Sequence, residues 1–387
     1  MGSSESGASG SGIPGDDCIP SSYVRMNSDR MNDKEILQDS MMPLSIQTPV
    51  VNTGFAGRWS ISLPNGFAPD PRTGQFTCHS KEHDCVYVGY GTSPQGQGFF
   101  DLWAFEFNNY TWRRIPLKGD ILKPRNGCRA VIHKNSLLVY GGFIDPDYVD
   151  DFHTINVVTG EVTLLQTTGD HPGPRSTPLM IIHENKLFLW GGFNGKWPSS
   201  LHILDFATMN WVSSETGVSG RTGIPTAIVN GKLYGYGCSR SGGFVVIDPK
   251  SESVSVVRAD GTPPPCEVMN AGMVRVQDYL IYFGGKTNTD HTLVYACDIH
   301  KMWWFVFHVA PDGETTSLAD GSVTENGLFQ IPKTHSFGLV YCERKREVLA
   351  FLGFPSRDPP LLSILSVGDA LSILHLRDDM LDSLGIK

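Results

Sequence analysis

The sequence predicts an all-β fold built by repetition, and three observations carry that prediction. First, a run of alternating large residues ends in two glycines at Leu138-Val139-Tyr140-Gly141-Gly142-Phe143, at Leu187-Phe188-Leu189-Trp190-Gly191-Gly192-Phe193 and at Ile281-Tyr282-Phe283-Gly284-Gly285. Second, weaker copies stand at Tyr87-Val88-Gly89-Tyr90-Gly91, Leu233-Tyr234-Gly235-Tyr236-Gly237 and Ala350-Phe351-Leu352-Gly353. The phrase therefore returns six times, at steps of roughly 50 residues with a last step near 68, and a period in that range marks a solenoid or a propeller. Third, 42 Gly, 25 Pro and only 18% charged residues in a chain of 387 suit many short strands joined by tight turns.

Residues 1–53 differ from the rest. Met1 to Gly15 is almost all Ser, Gly, Ala and acid, a composition that cannot bury a core. Asp33-Lys34-Glu35-Ile36-Leu37-Gln38 is too short to stand alone as a helix. The segment is expected to be a disordered or loosely docked tail, with the repeat domain occupying 54–387. Met1-Gly2-Ser3-Ser4-Glu5-Ser6 fits the N-myristoylation pattern at Gly2, although a Gly/Ser-rich tail matches it by composition alone. One acyl chain without a polybasic patch would bind a membrane only marginally.

From residue 54 onward each repeat can be written as four strands, A to D from the inside outward. Strand A is a small or mixed run, such as 177–183 or 224–229. A polar turn follows, as in Glu184-Asn185-Lys186 or the hairpin signal Asn230-Gly231-Lys232. Strand B ends in the glycines, whose missing β-carbon lets the chain turn there. Strand C follows a variable loop, as in 101–107 or 201–206. Strand D opens on Trp112, Trp211, Trp303 or Trp304, with Val162 and Val254 in the matching places. Four such strands make a twisted sheet that cannot hide both faces, whereas radial stacking of several sheets buries both and leaves only short edges.

The last repeat supplies strand A near 335–341, strand B at 347–352 and a strand C expected at 370–376, with no tryptophan strand after it. Arg58-Trp59-Ser60-Ile61-Ser62-Leu63, ahead of the first repeat, is an orphan of the D type and is expected to complete that last sheet. The stretch 369–384 is also compatible with an amphipathic helix packed on the ring.

The order of double glycine, aromatic in strand C and then tryptophan resembles the kelch repeat over residues 54–387. Gly141-Gly142, Gly191-Gly192 and Gly284-Gly285 match it fully, and the other three copies are degenerate. The resemblance implies a β-propeller, and six copies imply six blades, with the ring closed by the N-terminal strand.

A net charge of -9 and a pI near 5.7 argue against a nucleic-acid binder driven by phosphate contacts. No run approaches 18 apolar residues, so no transmembrane helix is expected, and no apolar leader is present. Eight scattered cysteines without a CxxC read as free thiols in a reducing compartment, giving a cytoplasmic expectation.

The polar positions with most to say come just before strand A: Pro71-Arg72-Thr73-Gly74, Pro124-Arg125-Asn126-Gly127, Pro174-Arg175-Ser176-Thr177 and Gly220-Arg221-Thr222-Gly223. In kelch-type adaptors, arginine and serine here grip acidic peptides. The resemblance thus implies a partner site at Arg72, Arg125, Arg175 and Arg221, ringing the channel mouth with guanidinium forks suited to carboxylates. The competing reading is that each arginine binds backbone or an aspartate. Loops between strands B and C should share this face, and they contribute Tyr148, Phe193, Trp197 and Arg240 as expected partner contacts.

Cys78-His79-Ser80-Lys81-Glu82-His83-Asp84-Cys85 holds zinc-type ligands. Strand alternation sends neighbouring residues to opposite faces, so buried cysteines and a polar turn are expected and no metal site. No GxSxG, HExxH or Gly-rich phosphate loop is present, and the Glu-x3-Asp-x3-His spacing of the iron-dependent kelch enzymes is missing. The expectation is a non-enzymatic scaffold or adaptor, with no cofactor, that binds protein partners through an acidic peptide or a C-terminal carboxylate. The alternative is a propeller enzyme acting on a small anionic or sugar-like ligand in the central channel.

Overall fold

The computed structural model describes residues 57–239, 242–325, 327–355 and 360–368. Six sheets follow one another along the chain as blades. Blade one comprises Phe76–Ser80, Cys85–Gly89, Leu102–Glu106 and Thr111–Ile115 as strands A to D. Blade two comprises Arg129–His133, Ser136–Ile144, Asp147–Asn156 and Glu161–Leu164. Blade three comprises Leu179–His183, Lys186–Trp190, Ser200–Asp205 and Asn210–Glu215. Blade four comprises Thr226–Val229, Lys232–Gly235, Phe244–Asp248 and Ser253–Val257. Blade five comprises Gly272–Val276, Tyr279–Phe283, Tyr295–Asp298 and Trp303–Val306.

Blade six takes strands A to C from Gly338–Cys342, Glu347–Phe351 and Leu362–Ser366, and its strand D is Gly57–Ser62. That strand pairs antiparallel with Leu362–Ser366, Trp59 lying opposite Leu365, and parallel with Val309–Pro311 on its other edge. The N-terminal strand thus completes the last blade, as the orphan tryptophan predicts. Strand C of this blade lies at Leu362–Ser366, ahead of the 370–376 expected from the sequence. A loop of the length seen in blade three brings the alternating Leu362, Ile364 core positions onto strand B first. The alternative helix at 369–384 falls outside the described residues, as do the 1–53 tail and Gly2.

Strand B sits between two others and between two neighbouring blades. In Cys85–Gly89 and Tyr279–Phe283 every residue is buried, which explains the near-continuous apolar runs before the glycines. Strand D lies toward the outside of the ring, and Asn210–Glu215 buries only Trp211. Six apolar clusters fill the six seams, including one that joins Val86, Val88 and Phe105 of blade one to Val340, Leu349 and Phe351 of blade six. The ring therefore closes on itself.

The tryptophans occupy one register position. Trp112, Trp211, Trp304 and Trp59 sit on strand D of blades one, three, five and six, and Val162 and Val254 fill the same place in blades two and four. Each indole packs on the aromatic just before the glycine turn of the preceding blade: Trp112 on Phe351, Trp211 on Tyr140, Trp304 on Tyr236 and Trp59 on Phe283, at 5.5, 6.3, 5.1 and 5.8 Å between ring centres. Such contacts add roughly 0.5–1.5 kcal/mol beyond the area that they bury.

The glycine pair serves the same seams. Gly191 and Gly192 have φ of 71° and 88°. A β-carbon would lie 2.7 Å from the Arg221 carbonyl oxygen at Gly191 and 2.7 Å from the Ser176 carbonyl oxygen at Gly192. Freed of that clash, Gly192 N–H donates to the Arg221 carbonyl of the next blade at 2.9 Å. The bond recurs all round the ring: Gly91 to Arg125, Gly142 to Arg175, Cys238 to Val268, Gly285 to Thr334 and, closing it, Gly353 to Arg72 at 3.2 Å. In the degenerate copies Tyr90, Cys238 and Leu352 take the left-handed conformation with φ of 62°, 46° and 62°.

The long last step of the repeat is an insertion between blades five and six. Ser322–Val323 and Phe329–Pro332 form a hairpin, and the latter strand pairs with His291–Thr292 in the B–C loop of blade five. Among the described residues no helix is long and apolar enough to cross a membrane.

Because Trp59 is 2% exposed and belongs to a strand held on both edges, Trp59→Ala is expected to lower stability by about 3–5 kcal/mol in urea unfolding. A change below about 1 kcal/mol, the range of an ordinary surface substitution, would contradict the closure described.

Candidate functional site: the channel mouth

The leading residues of the A strands and the B–C loops meet on one face. Isolated bridges join Thr73 to Thr92, Asn126 to Phe143, Ser176 to Phe193 and His335 to Phe354. Between them opens a central cavity of about 470 Å³ to which all six blades contribute. Its wall is largely hydroxyl, amide and apolar, through Thr77, Asn126, Thr177, Asn270, Met180 and Phe337. The titratable side chains on it are Arg129, Lys286 and His335, and no Asp or Glu lines it among the described residues.

Arg129 is half-buried at the start of strand A in blade two, and burial pulls its guanidinium below the ordinary value. Burial does the same to Lys286, which follows the glycine pair of blade five. His335 is pushed down to about 4 by burial first, then by Lys286 and Lys333 nearby, so it is neutral at physiological pH. On a chain of net charge -9, this places two recessed cations on the cavity wall.

The four arginines before strand A are elsewhere. Arg72, Arg125, Arg175 and Arg221 are 0, 2, 3 and 4% exposed, and each guanidinium turns into its own blade. Arg72 donates through Nε to the Asp70 carbonyl, through Nη1 to the Tyr90 carbonyl, and as a fork to both oxygens of Asp101 at 2.5 and 3.0 Å. Arg125 repeats this with Lys123, Gly141 and both oxygens of Asp151. Burial alone would raise Asp101, but Arg72 and the Trp103 indole outweigh it and hold the carboxyl below its usual range. Arg175 reaches the carbonyls of Gly173 and Gly191, and Arg221 those of Gly237 and Gly243. The expectation of open forks around the mouth is therefore corrected: Arg72, Arg125 and Arg221 tie strand B to strand C, and Arg175 ties the end of strand B to the Gly173 carbonyl ahead of its own strand A.

The expected loop aromatics do come together. Tyr148 meets Phe143 and Phe193 at 5.0 and 5.8 Å between ring centres, and Phe193 meets Trp197 at 5.3 Å. They form a ladder across blades two and three, beginning at the cavity wall with Phe143 and ending at Trp197, which is 44% exposed. On the far side of the cavity Phe354, also 44% exposed, stacks against His335 at 5.3 Å. Arg240 lies outside the described residues. The zinc-type stretch disperses: Cys78 and Cys85 are buried in the seam of blades one and two, His79 turns to Phe107, and His83 bonds to Tyr87 and Asn135. Among the described residues no three His, Cys, Asp or Glu side chains converge to hold a metal.

Fold and mouth together define a six-bladed propeller with one recessed central face. The KLHDC2/KLHL20/DRC7 kelch-repeats domain matches residues 47–238, and the chain belongs to the kelch-repeat family. It is 27% identical over 162 residues to kelch domain-containing protein 10 of Rattus norvegicus, covering 38% of this chain and 40% of that protein. The Mus musculus protein of the same name is 27% identical over 169 residues, covering 39% and 38%. An N-(sulfonatooxy)prop-2-enimidothioate sulfolyase of Thlaspi arvense is 29% identical over 120 residues, 30% of this chain and 34% of the enzyme. The chain thus spans about a third to two-fifths of the length of the curated relatives that it matches.

Removing a buried guanidinium leaves Asp151 and two carbonyls without their donor. Arg125→Ala is expected to destabilise the protein by about 3–5 kcal/mol, read as a lower denaturation midpoint. An unchanged midpoint would show that the side chain is not a structural clamp.

Proposed function

We propose that this chain is a non-enzymatic protein-interaction module, an adaptor or scaffold, whose partner engages the channel-mouth face with a negatively charged segment. The observation that carries the reading is the pairing of Arg129 and Lys286 inside a cavity of about 470 Å³ with no carboxylate on its wall. A partially desolvated cation attracts an incoming anion more strongly than an exposed one, because little water screens the pair. A cavity of this size admits the end or tip of a polypeptide rather than a whole domain. The aromatic ladder and Phe354 supply the rigid apolar contacts that commonly dominate binding energy at interfaces.

An acidic peptide or a chain-terminal carboxylate fits this charge pattern, and the rest of the partner would lie across Phe143, Tyr148, Phe193 and Trp197. The family assignment supports protein binding in general. A cytoplasmic location is the compartment consistent with seven described cysteines that are all free thiols.

The test replaces both cations by shorter, neutral amides. Arg129→Gln with Lys286→Gln should reduce partner recovery in affinity purification at least about tenfold, equivalent to about 1.4 kcal/mol of binding, without lowering the thermal midpoint. Full recovery of the same partners by the double variant would overturn the reading.

A further inference from the structure

The outer edges of the blades are covered in a regular way, and blade four departs from it. The chain that leaves strand D of one blade runs along strand D of the next before it reaches strand A. Lys118–Gly119, Thr168–Gly169, Asp260–Gly261 and Val309–Pro311 pair in parallel with strand D of blades two, three, five and six, and Asn65 bridges to Thr111 in blade one. The bonds repeat as well: Asp120, Asp170, Thr262 and Asp312 donate their N–H to the carbonyls of Val162, Trp211, Trp304 and Trp59. In blade four the matching carbonyl is that of Val254. Among the described residues no segment pairs with the outer edge of its strand, Ser253–Val257.

The cause is a short connection. Residues 116–124 lie between strand D of blade one and Arg125, and 165–174 between strand D of blade two and Arg175, but only 216–220 lead from blade three to Arg221. This stretch is also held on blade three, where the Thr216 hydroxyl donates to the Ser199 carbonyl at 2.7 Å and accepts the Val218 N–H at 3.2 Å.

An open edge is a template for another strand, and natural proteins guard theirs with charges or proline. Strand D of blade one carries Arg113 and Arg114, whereas Ser253-Val254-Ser255-Val256-Val257 carries neither guard and is rich in strand formers. Val254 packs in the seam of blades three and four, and Val256, on the same face, is 44% exposed. The outward N–H and C=O groups are those of Val254 and, by the same alternation, Val256.

This edge is complementary to itself. A two-fold axis through Ser255 sets Val254 opposite Val256 of a second copy, and Val256 opposite its Val254, so that the outward groups of both strands meet as hydrogen-bonded pairs. The same register sets Glu252 opposite Arg258 of the second copy, twice over. Both residues are exposed, and Glu252 also accepts from Lys186 at 2.6 Å. Opposite charges facing across strands stabilise the pairing, and sliding the register by two residues either way breaks the match.

We propose that the outer edge of blade four is a dimerisation surface, on which Ser253–Val257 of a second copy of this chain pairs antiparallel about Ser255 and joins two four-stranded sheets into one. The surface lies on the rim of the ring, apart from the central cavity, and stands or falls independently of the reading of Arg129 and Lys286.

Sedimentation equilibrium on the full chain tests it. At concentrations up to about 1 mM, the mass should rise from 42.5 kDa toward twice that value. Val256→Pro removes an outward N–H at an edge position, where proline is tolerated, and should weaken association at least about tenfold with little change in the thermal midpoint. Glu252→Arg and Arg258→Glu each bring like charges together across the axis, and each should weaken self-association. Mixed in equal amounts, these two variants should form a mixed dimer, because each supplies the counter-charge that the other lacks. Both positions are exposed, so the charge variants decide the matter whatever proline does to folding. A full chain that stays monomeric, its edge left to some other strand, would overturn the proposal. So would a dimer unaffected by the charge variants, or variants that fail to associate when mixed.

Discussion

The structure depends on one hydrogen bond repeated six times. At each seam the second residue of the glycine pair donates its N–H to the carbonyl of the residue that opens the next blade. The carbonyl comes so close that a β-carbon on Gly191 would lie 2.7 Å from it, so the first residue of the pair favours glycine. In four of the six blades the residue offering that carbonyl is an arginine, and its guanidinium turns back into its own blade. In blades one, two and four one residue thus joins a blade to its predecessor through the backbone and ties its own strands B and C through the side chain, while Arg175 reaches the end of strand B and the Gly173 carbonyl. The tryptophan contacts lie further out on the same seams and stabilise the stacking that these bonds place in register.

This arrangement separates holding the ring together from binding a ligand. The arginines adjoin the mouth but are occupied, whereas the cavity wall draws its charge from Arg129 and Lys286. A charged group inside a channel carries a desolvation cost. The cost is tolerable because blade packing, not the channel, supplies most of the stability. Function can therefore change at strand-A leading residues and B–C loops without touching the seams.

Much of this was legible in the sequence, and the reasons for the misses are specific. Gly141-Gly142, Gly191-Gly192 and Gly284-Gly285 fix the period because the seam bond constrains the backbone itself. Trp59 reveals the closing strand because an orphan D-type tryptophan has one empty place to fill. Strand C of blade six was misplaced because 370–376 alternates as well as Leu362–Ser366, and only the loop length separates the two. The arginines misled because their exposure depends on a partner far along the chain. Asp101, just ahead of strand C in blade one, and Asp151, at the matching place in blade two, were the available signal. Lys286 could also have been found: the residues after the pair are Thr92, Phe143, Phe193, Ser239, Lys286 and Phe354, and Lys286 is the charged one.

The central claim, that partners bind where the cations and loop aromatics converge, is tested most directly by amide hydrogen exchange on the protein alone and in complex with a partner recovered by affinity purification. Binding should slow exchange in 73–77, 126–130, 176–180, 269–273 and 335–339 and in the loops around Phe193 and Lys286. The turns at the opposite ends of the hairpins, such as Glu184-Asn185 and Asn230-Gly231, should exchange as before. Protection confined to those turns, with the mouth unaffected, would contradict the account.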